Sequence, residues 1–130
     1  MKISKADFES MKAKYDAEVK KGKPAKGNNG REKDDQTDWI FFDRETLESL
    51  LAEADKDPKV GGIQFYFTEY TKETAQKYYP KNPDKYEGQL NLVLKAGNLR
   101  EGVVEATDTD DGGDYQNRGK VCPPDCNPEP

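Results

Sequence analysis

The sequence predicts an α+β fold: an N-terminal helix and a second helix packed on a mainly antiparallel sheet of three to four strands, with an extended C-terminal tail. Three observations carry this. Apolar residues recur at helical spacing near the N-terminus and again after Asp43. Residues 60–70 and 90–95 alternate between apolar and polar side chains. A short β-prone run, Trp39-Ile40-Phe41-Phe42, leads through a single Asp into the second helical stripe.

The first helix is expected over residues 4–21. Ser4 and Asp7 form a start resembling a capping box, with Asp where Glu is more usual. Phe8, Met11, Tyr15 and Val19 then share one helical face, which reads as core-facing. Residues 22–37 hold Gly22, Pro24, Gly27 and Gly30 with no apolar run, and read as a flexible basic loop. Its Lys23, Lys26, Arg31 and Lys33 have no interleaved aromatic to stack a base, so a solvated loop is favoured over an anion-binding arm. Its glycines are not followed by the Gly-Lys-Ser/Thr of a phosphate-cradling loop.

Asp43 is a natural N-cap. Leu47, Leu50, Leu51 and Ala54 form the second helical stripe, which Asp57-Pro58 is expected to end. In the next strand Ile63, Phe65 and Phe67 make one apolar face, opposite Gln64, Tyr66 and Thr68. A short helix is expected from Lys72 to Tyr79. Leu90, Leu92 and Leu94 mark another strand, Ala96-Gly97-Asn98 reads as a turn, and residues 99–106 as a returning partner. The expected organisation is one α+β domain over residues 1–106, then an acidic turn and a Pro/Cys tail over 107–130.

Composition bounds the reading. Hydrophobic residues are 32% and charged residues 36% of the 130 residues, a balance that alone leans toward disorder. The apolar residues are clustered, however, and one Trp, seven Tyr and five Phe supply large contact areas. We expect a modest ordered core with a long polar loop. No apolar run approaches the ~20 residues that cross a bilayer. The N-terminus lacks the apolar segment of a secretory signal, so no membrane association and a cytoplasmic location are expected. The net charge of −5 divides unevenly: residues 1–33 carry ten Lys/Arg against five Asp/Glu, and the rest carry eleven against twenty-one. A negative body repels phosphate backbones, which argues against nucleic acid and leaves a basic protein partner as the natural complement.

There is no histidine. The commonest general base, partner of catalytic Ser or Cys, and metal ligand is thereby missing. Serine occurs only at positions 4, 10 and 49, within predicted helices or caps. An ordinary Ser or Cys triad is excluded on residue types. Carboxylate pairs could do acid–base work, but with 26 Asp/Glu such pairs carry almost no specificity. The chain reads as a non-enzyme with no cofactor.

Three candidate sites remain. Asp108, Asp110 and Asp114 offer hard oxygen ligands for calcium, but Gly112 and Gly119 stand where a helix-loop-helix calcium motif needs ligands; a solvated acidic turn is the competing reading. Cys122 and Cys126 are the only cysteines, spaced i,i+4. Fully extended as polyproline II, their Cα atoms would stand ~12 Å apart. A disulfide needs ~4.4–6.8 Å, so it requires a turn, for which Pro124-Asp125 is suited. Free thiols, a small disulfide-closed turn, and a thiol or metal module are the alternatives. Third, Tyr66, Tyr70, Tyr78, Tyr79 and Tyr86 could form a binding surface, since Tyr gives interface area at low entropy cost; half-buried packing is the alternative.

The run Asn117-Arg118-Gly119-Lys120-Val121-Cys122-Pro123-Pro124-Asp125-Cys126 resembles the ending of a group of small, functionally uncharacterised bacterial proteins that close with Cys-Pro-Pro-x-Cys. The resemblance implies a bacterial, non-enzymatic protein and brings no cofactor or catalytic residue with it. The expected function is a protein-interaction module, an adaptor, inhibitor or immunity-type binder using an acidic, Tyr-bearing surface. The alternative is a thiol/disulfide or metal-binding module built on Cys122 and Cys126.

Overall fold

The computed structural model describes residues 2–21, 25–26, 35–107, 115–116 and 119–126. In chain order the elements are α1 (Lys5–Tyr15), continued by a π-helical turn (Asp16–Lys20), β1 (Trp39–Phe41), α2 (Arg44–Glu53), β2 (Gly61–Glu69), α3 (Lys72–Tyr78), a 3₁₀ turn (Pro83–Lys85), β3 (Leu90–Arg100), β4 (Val103–Ala106), β5 (Tyr115–Gln116) and β6 (Lys120–Cys122). The fold is α+β. It divides into two units, Met1–Ile40 with Glu69–Leu90 and Val121–Pro130, and Phe41–Thr68 with Asn91–Lys120.

The first unit contains both α1 and α3. The Ser4 hydroxyl caps α1 by accepting from the Asp7 amide at 3.0 Å. Only the second half of the expected core-facing stripe, Tyr15 and Val19, turns inward. Phe8 and Met11 are 52% and 62% exposed, whereas Lys12, Tyr15, Val19 and Lys20 are half-buried. Electrostatics explains the rotation. Lys12 pairs with both Asp16 and Asp38, Lys20 approaches Asp38 at 3.7 Å, and the Tyr15 hydroxyl donates to the Thr37 carbonyl. A line of polar contacts therefore sets which face of α1 meets the unit.

The end of the predicted flexible loop is buried in this unit. Gln36 and Thr37 are both about 95% covered. The Gln36 amide group donates to the Gly88 carbonyl at 3.1 Å, and its oxygen accepts from the Leu90 amide at 2.6 Å and the Thr37 amide at 2.9 Å. The Thr37 hydroxyl donates to the Leu90 carbonyl at 2.6 Å. These side chains substitute for ladder bonds that backbone alone would make, so the buried amides are satisfied. Ala25 is fully buried as well, and Gly88 (φ 87°) is where Lys26 approaches: a Cβ there would fall 2.0 Å from the Lys26 carbonyl oxygen. β1 and β6 form a two-stranded sheet.

The second unit is organised around β3. β2 pairs along one side of it, and β4 and β5 pair with it as well. Both β4 and β5 are antiparallel to β3, with Gly97 opposite Ala106, Arg100 opposite Val103, and Leu94 opposite Gln116. The Asp43 carboxylate caps α2 through the Thr46 amide at 2.9 Å. That helix ends at Glu53, short of the expected Asp57-Pro58 stop. Leu50 of α2, Ala54 just after it, and Leu94 and Ala96 of β3 are buried, whereas Leu51 of the expected α2 stripe is exposed. Burying Leu50 or Leu94 whole is worth about 1.5–3 kcal/mol each.

The turn expected at Ala96-Gly97-Asn98 is not there, because β3 runs through it. The chain reverses instead at Glu101-Gly102, with φ of 53° and 77°, a two-residue hairpin turn that suits strand twist and requires positive φ at both positions. Asn98 is used across the unit: its side-chain oxygen accepts from the Asp55 amide at 2.8 Å, and Arg100 reaches the Asp55 carboxylate at 2.5 Å. Among the described residues no helix is long and apolar enough to cross a membrane.

Candidate functional sites: a tyrosine cluster with a closed turn, and an aromatic strand

The five candidate tyrosines fall into two groups. Tyr70, Tyr79 and Tyr86 come together in the first unit. Tyr79 and Tyr86 stack with ring centres 3.6 Å apart and planes 6° apart. Tyr70 meets both edge-on, at 5.6 Å from Tyr79 and 6.1 Å from Tyr86. Ala75, Val121, Ile40 and Tyr78 complete the cluster. Aromatic pairs of this geometry contribute about 0.5–1.5 kcal/mol beyond the area they bury.

This packing corrects the expected tyrosine surface. Tyr70 is 2% and Tyr86 4% exposed, so neither presents a face to a partner; Tyr78 and Tyr79 are half-buried. Tyr66 alone of the five stands exposed, in the second unit, with its hydroxyl 3.4 Å from the Gln64 side-chain oxygen. The physical reason is connectivity. The Tyr70 amide donates to the Gln89 carbonyl and the Gly88 amide to the Tyr70 carbonyl, a reciprocal bridge that folds the residue leaving β2 inward. A capping box of Thr71 and Thr74 then starts α3, which brings Tyr79 back over Tyr70.

Cys122 and Cys126 are joined by a disulfide, with Cα atoms 4.5 Å apart. The turn between them includes cis bonds before Pro123 and Pro124, and the Asp125 amide donates to the Val121 carbonyl at 2.7 Å. The closed turn is tied into the first unit from three sides. The Tyr86 hydroxyl donates to the Asp125 carboxylate at 2.6 Å. The Gln89 side-chain amide donates to the Pro123 carbonyl at 3.1 Å, and the Asp38 amide to the Cys122 carbonyl at 2.5 Å. Two of the three sites read from sequence are thus one structure: the tyrosine cluster and the Cys turn meet at Tyr86. Asp108, Asp110 and Asp114 lie outside the described residues. Among the described residues no three or more His, Cys, Asp or Glu side chains gather where they could hold a metal ion.

On β2 the sequence reading singled out Tyr66 but not the phenylalanines beside it. Phe65 is 50%, Tyr66 41% and Phe67 88% exposed. Among the described residues β2 pairs only with β3, so its other edge borders the sheet. The residues of β2 from Gly61 to Thr68 include no charge and no proline, the devices that usually protect an edge. That uncharged run was the available signal, since the alternation of Ile63, Phe65 and Phe67 says which side chains share a face but not whether the face is covered. Exposed aromatic side chains on an open strand edge can be paired by another extended backbone and covered by apolar side chains. No protein-family model, curated protein or solved structure matches this chain.

Proposed function

We propose that this chain is a non-enzymatic protein-interaction module, an adaptor, inhibitor or immunity-type binder, that engages its partner through β2. The supporting observation is Phe67, almost wholly exposed between Tyr66 and Thr68 on an edge strand that is uncharged from Gly61 to Thr68. A monomer seldom leaves such aromatic area in water without a use for it. Of the tyrosines first considered as the binding surface, Tyr70, Tyr79 and Tyr86 serve in this reading as the support that holds the Cys turn of their own unit in place. The alternative thiol or metal module has less behind it. Both sulfurs are engaged in closing a turn whose hydrogen bonds dock it, and Cys122 is buried.

The test is affinity capture from native lysate with the wild-type chain and with a Phe65→Ser/Phe67→Ser variant of matched thermal stability. A stoichiometric protein retained by the wild type and lost with the variant supports the proposal. Equal retention by both, or no stoichiometric partner for either, would sink it.

A further inference from the structure

We infer that β2 receives an extended, basic segment of another protein as an added strand, one in which apolar side chains alternate with Lys or Arg. The inference rests on the reading of β2 as an interaction surface and names the chemistry of its partner. Backbone direction, side-chain pattern and charge each contribute.

The backbone comes first. The Leu99 amide donates to the Val60 carbonyl at 2.8 Å, and the Thr68 hydroxyl donates to the Asn91 side chain at 2.5 Å. Both contacts fit one antiparallel register from end to end, in which Gly62 faces Gly97 and Phe65 faces Leu94. In such a pair, alternate residues turn both backbone groups toward the neighbouring strand. Val60 does so, and Gly62, Gln64, Tyr66 and Thr68 follow it. Ile63, Phe65 and Phe67 therefore point their amides and carbonyls away from β3. Among the described residues no other strand pairs with β2. The opening begins at Ile63, because the Gly61 amide is already held by the Asp57 carbonyl at 2.9 Å. The residues with free backbone groups thus include the two exposed phenylalanines. An added strand would be fixed by its backbone at Ile63, Phe65 and Phe67 and would lay apolar side chains beside the rings. Its alternate side chains would stand on the other face with Gln64, Tyr66 and Thr68, and can be charged.

Charge sets the sign of those side chains. The net charge of the chain falls entirely on the unit that carries β2 from Gly61 to Thr68. That unit has seven Lys/Arg against twelve Asp/Glu, whereas the first unit has fourteen of each. A segment with Lys or Arg at alternate positions is drawn to this unit, and an acidic one is repelled. The same excess repels the corresponding unit of a second copy, so the occupant is a foreign segment.

Amide exchange of the full chain, followed by NMR, tests this with two blocked synthetic peptides, one alternating Lys and Val, the other Glu and Val. In the free chain the amides of Ile63, Phe65 and Phe67 should exchange faster than those of Gly62, Gln64, Tyr66 and Thr68. Saturating Lys/Val peptide should slow these three at least ~10-fold. It should bind at least ~10-fold more tightly than the Glu/Val peptide, lose affinity as salt is added, and lose at least ~10-fold with Phe65→Ser/Phe67→Ser. Binding without protection of these three amides, or equal binding of the two peptides, would overturn the inference. So would a chain that dimerises by itself in sedimentation and protects the same amides. If a captured protein depends on Phe65 and Phe67 while the Lys/Val peptide does not bind, the basic strand is refuted and the interaction surface stands. If neither peptide nor any protein binds through these residues, both readings fall.

Discussion

The hydroxyl of Tyr86 donates a 2.6 Å hydrogen bond to the carboxylate of Asp125, across 39 residues of chain. Tyr86 is buried and stacked on Tyr79, and Asp125 lies inside the five-residue ring closed by Cys122 and Cys126. One bond therefore joins the aromatic cluster to the only cross-linked segment of the protein. Hydrogen bonds to a charged acceptor contribute about 1.5–3 kcal/mol, more than neutral ones.

Tyr86→Phe keeps the ring and removes only the donor. We expect it to lower unfolding free energy by roughly 1–2 kcal/mol, because Asp125 is half-buried and regains some water. Asp125→Asn should cost less, as it leaves an acceptor. Urea denaturation of both single variants and the double variant checks the assignment. A double variant no worse than Tyr86→Phe indicates one shared interaction; additive losses would show that the two residues act separately.

Replacing Cys122 and Cys126 with Ser should destabilise the first unit by about 2 kcal/mol, the chain-entropy value for a five-residue loop. A loop so short confines little of the unfolded chain. A thermal melt of the double Ser variant, against wild type with and without a reductant, measures this. The reduced wild type should match the Ser variant. A far larger loss would mean that the turn, rather than chain entropy, organises the surrounding residues.

Local signals were legible and long-range ones were not. Asp43 as a cap, the helix that follows it, the Lys72 helix and the alternation in β2 and β3 are each decided within a few residues, where periodicity and capping chemistry act. The inward face of α1 depends on Asp38, more than twenty residues from Lys12, and periodicity cannot see it. Gly97-Asn98 has turn chemistry, but the Asn98 side chain is taken by the Asp55 amide and the strand continues. The tyrosines illustrate both sides. Their number and spacing marked them for attention, yet which of them is buried follows from pairings such as Tyr70 with Gln89 that no local pattern contains.

Gln36 deserves a direct test because its side chain does the work of backbone. Gln36→Ala strands the Leu90 amide and the Gly88 carbonyl, each bonded at present only through the Gln36 side chain among the bonds described. A buried polar group left without a partner costs about 1–3 kcal/mol. We expect a loss of roughly 2–4 kcal/mol in urea denaturation, with faster hydrogen exchange at residues 88–90. Loss below about 1 kcal/mol would mean that water replaces the side chain without penalty.

The contacts of α1 predict a dependence on high pH. Lys12 is held above its ordinary 10.5 by hydrogen bonds to Asp16 and then to Asp38. Tyr15 is held above its ordinary 10.0, first by burial and then by the negative charge of Asp38. A group whose value is higher in the folded than in the unfolded chain keeps its proton longer when folded. Its contribution is complete below the unfolded value and is lost as pH rises through the folded one. Both groups therefore weaken the fold in the same direction, starting near pH 10. At low pH the sign reverses: Asp16, held down by its bond to Lys12, contributes above its ordinary 3.8 and loses that contribution as pH falls. Urea melts of wild type and Tyr15→Phe between pH 8 and pH 11.5 separate the terms. Tyr15→Phe should be the less stable protein at pH 8, having lost the bond to the Thr37 carbonyl, and should lose less of its remaining stability above pH 10. Parallel curves would show that Tyr15 does not titrate differently in the folded chain. A gap that widens with pH would reverse the sign and place the effect elsewhere.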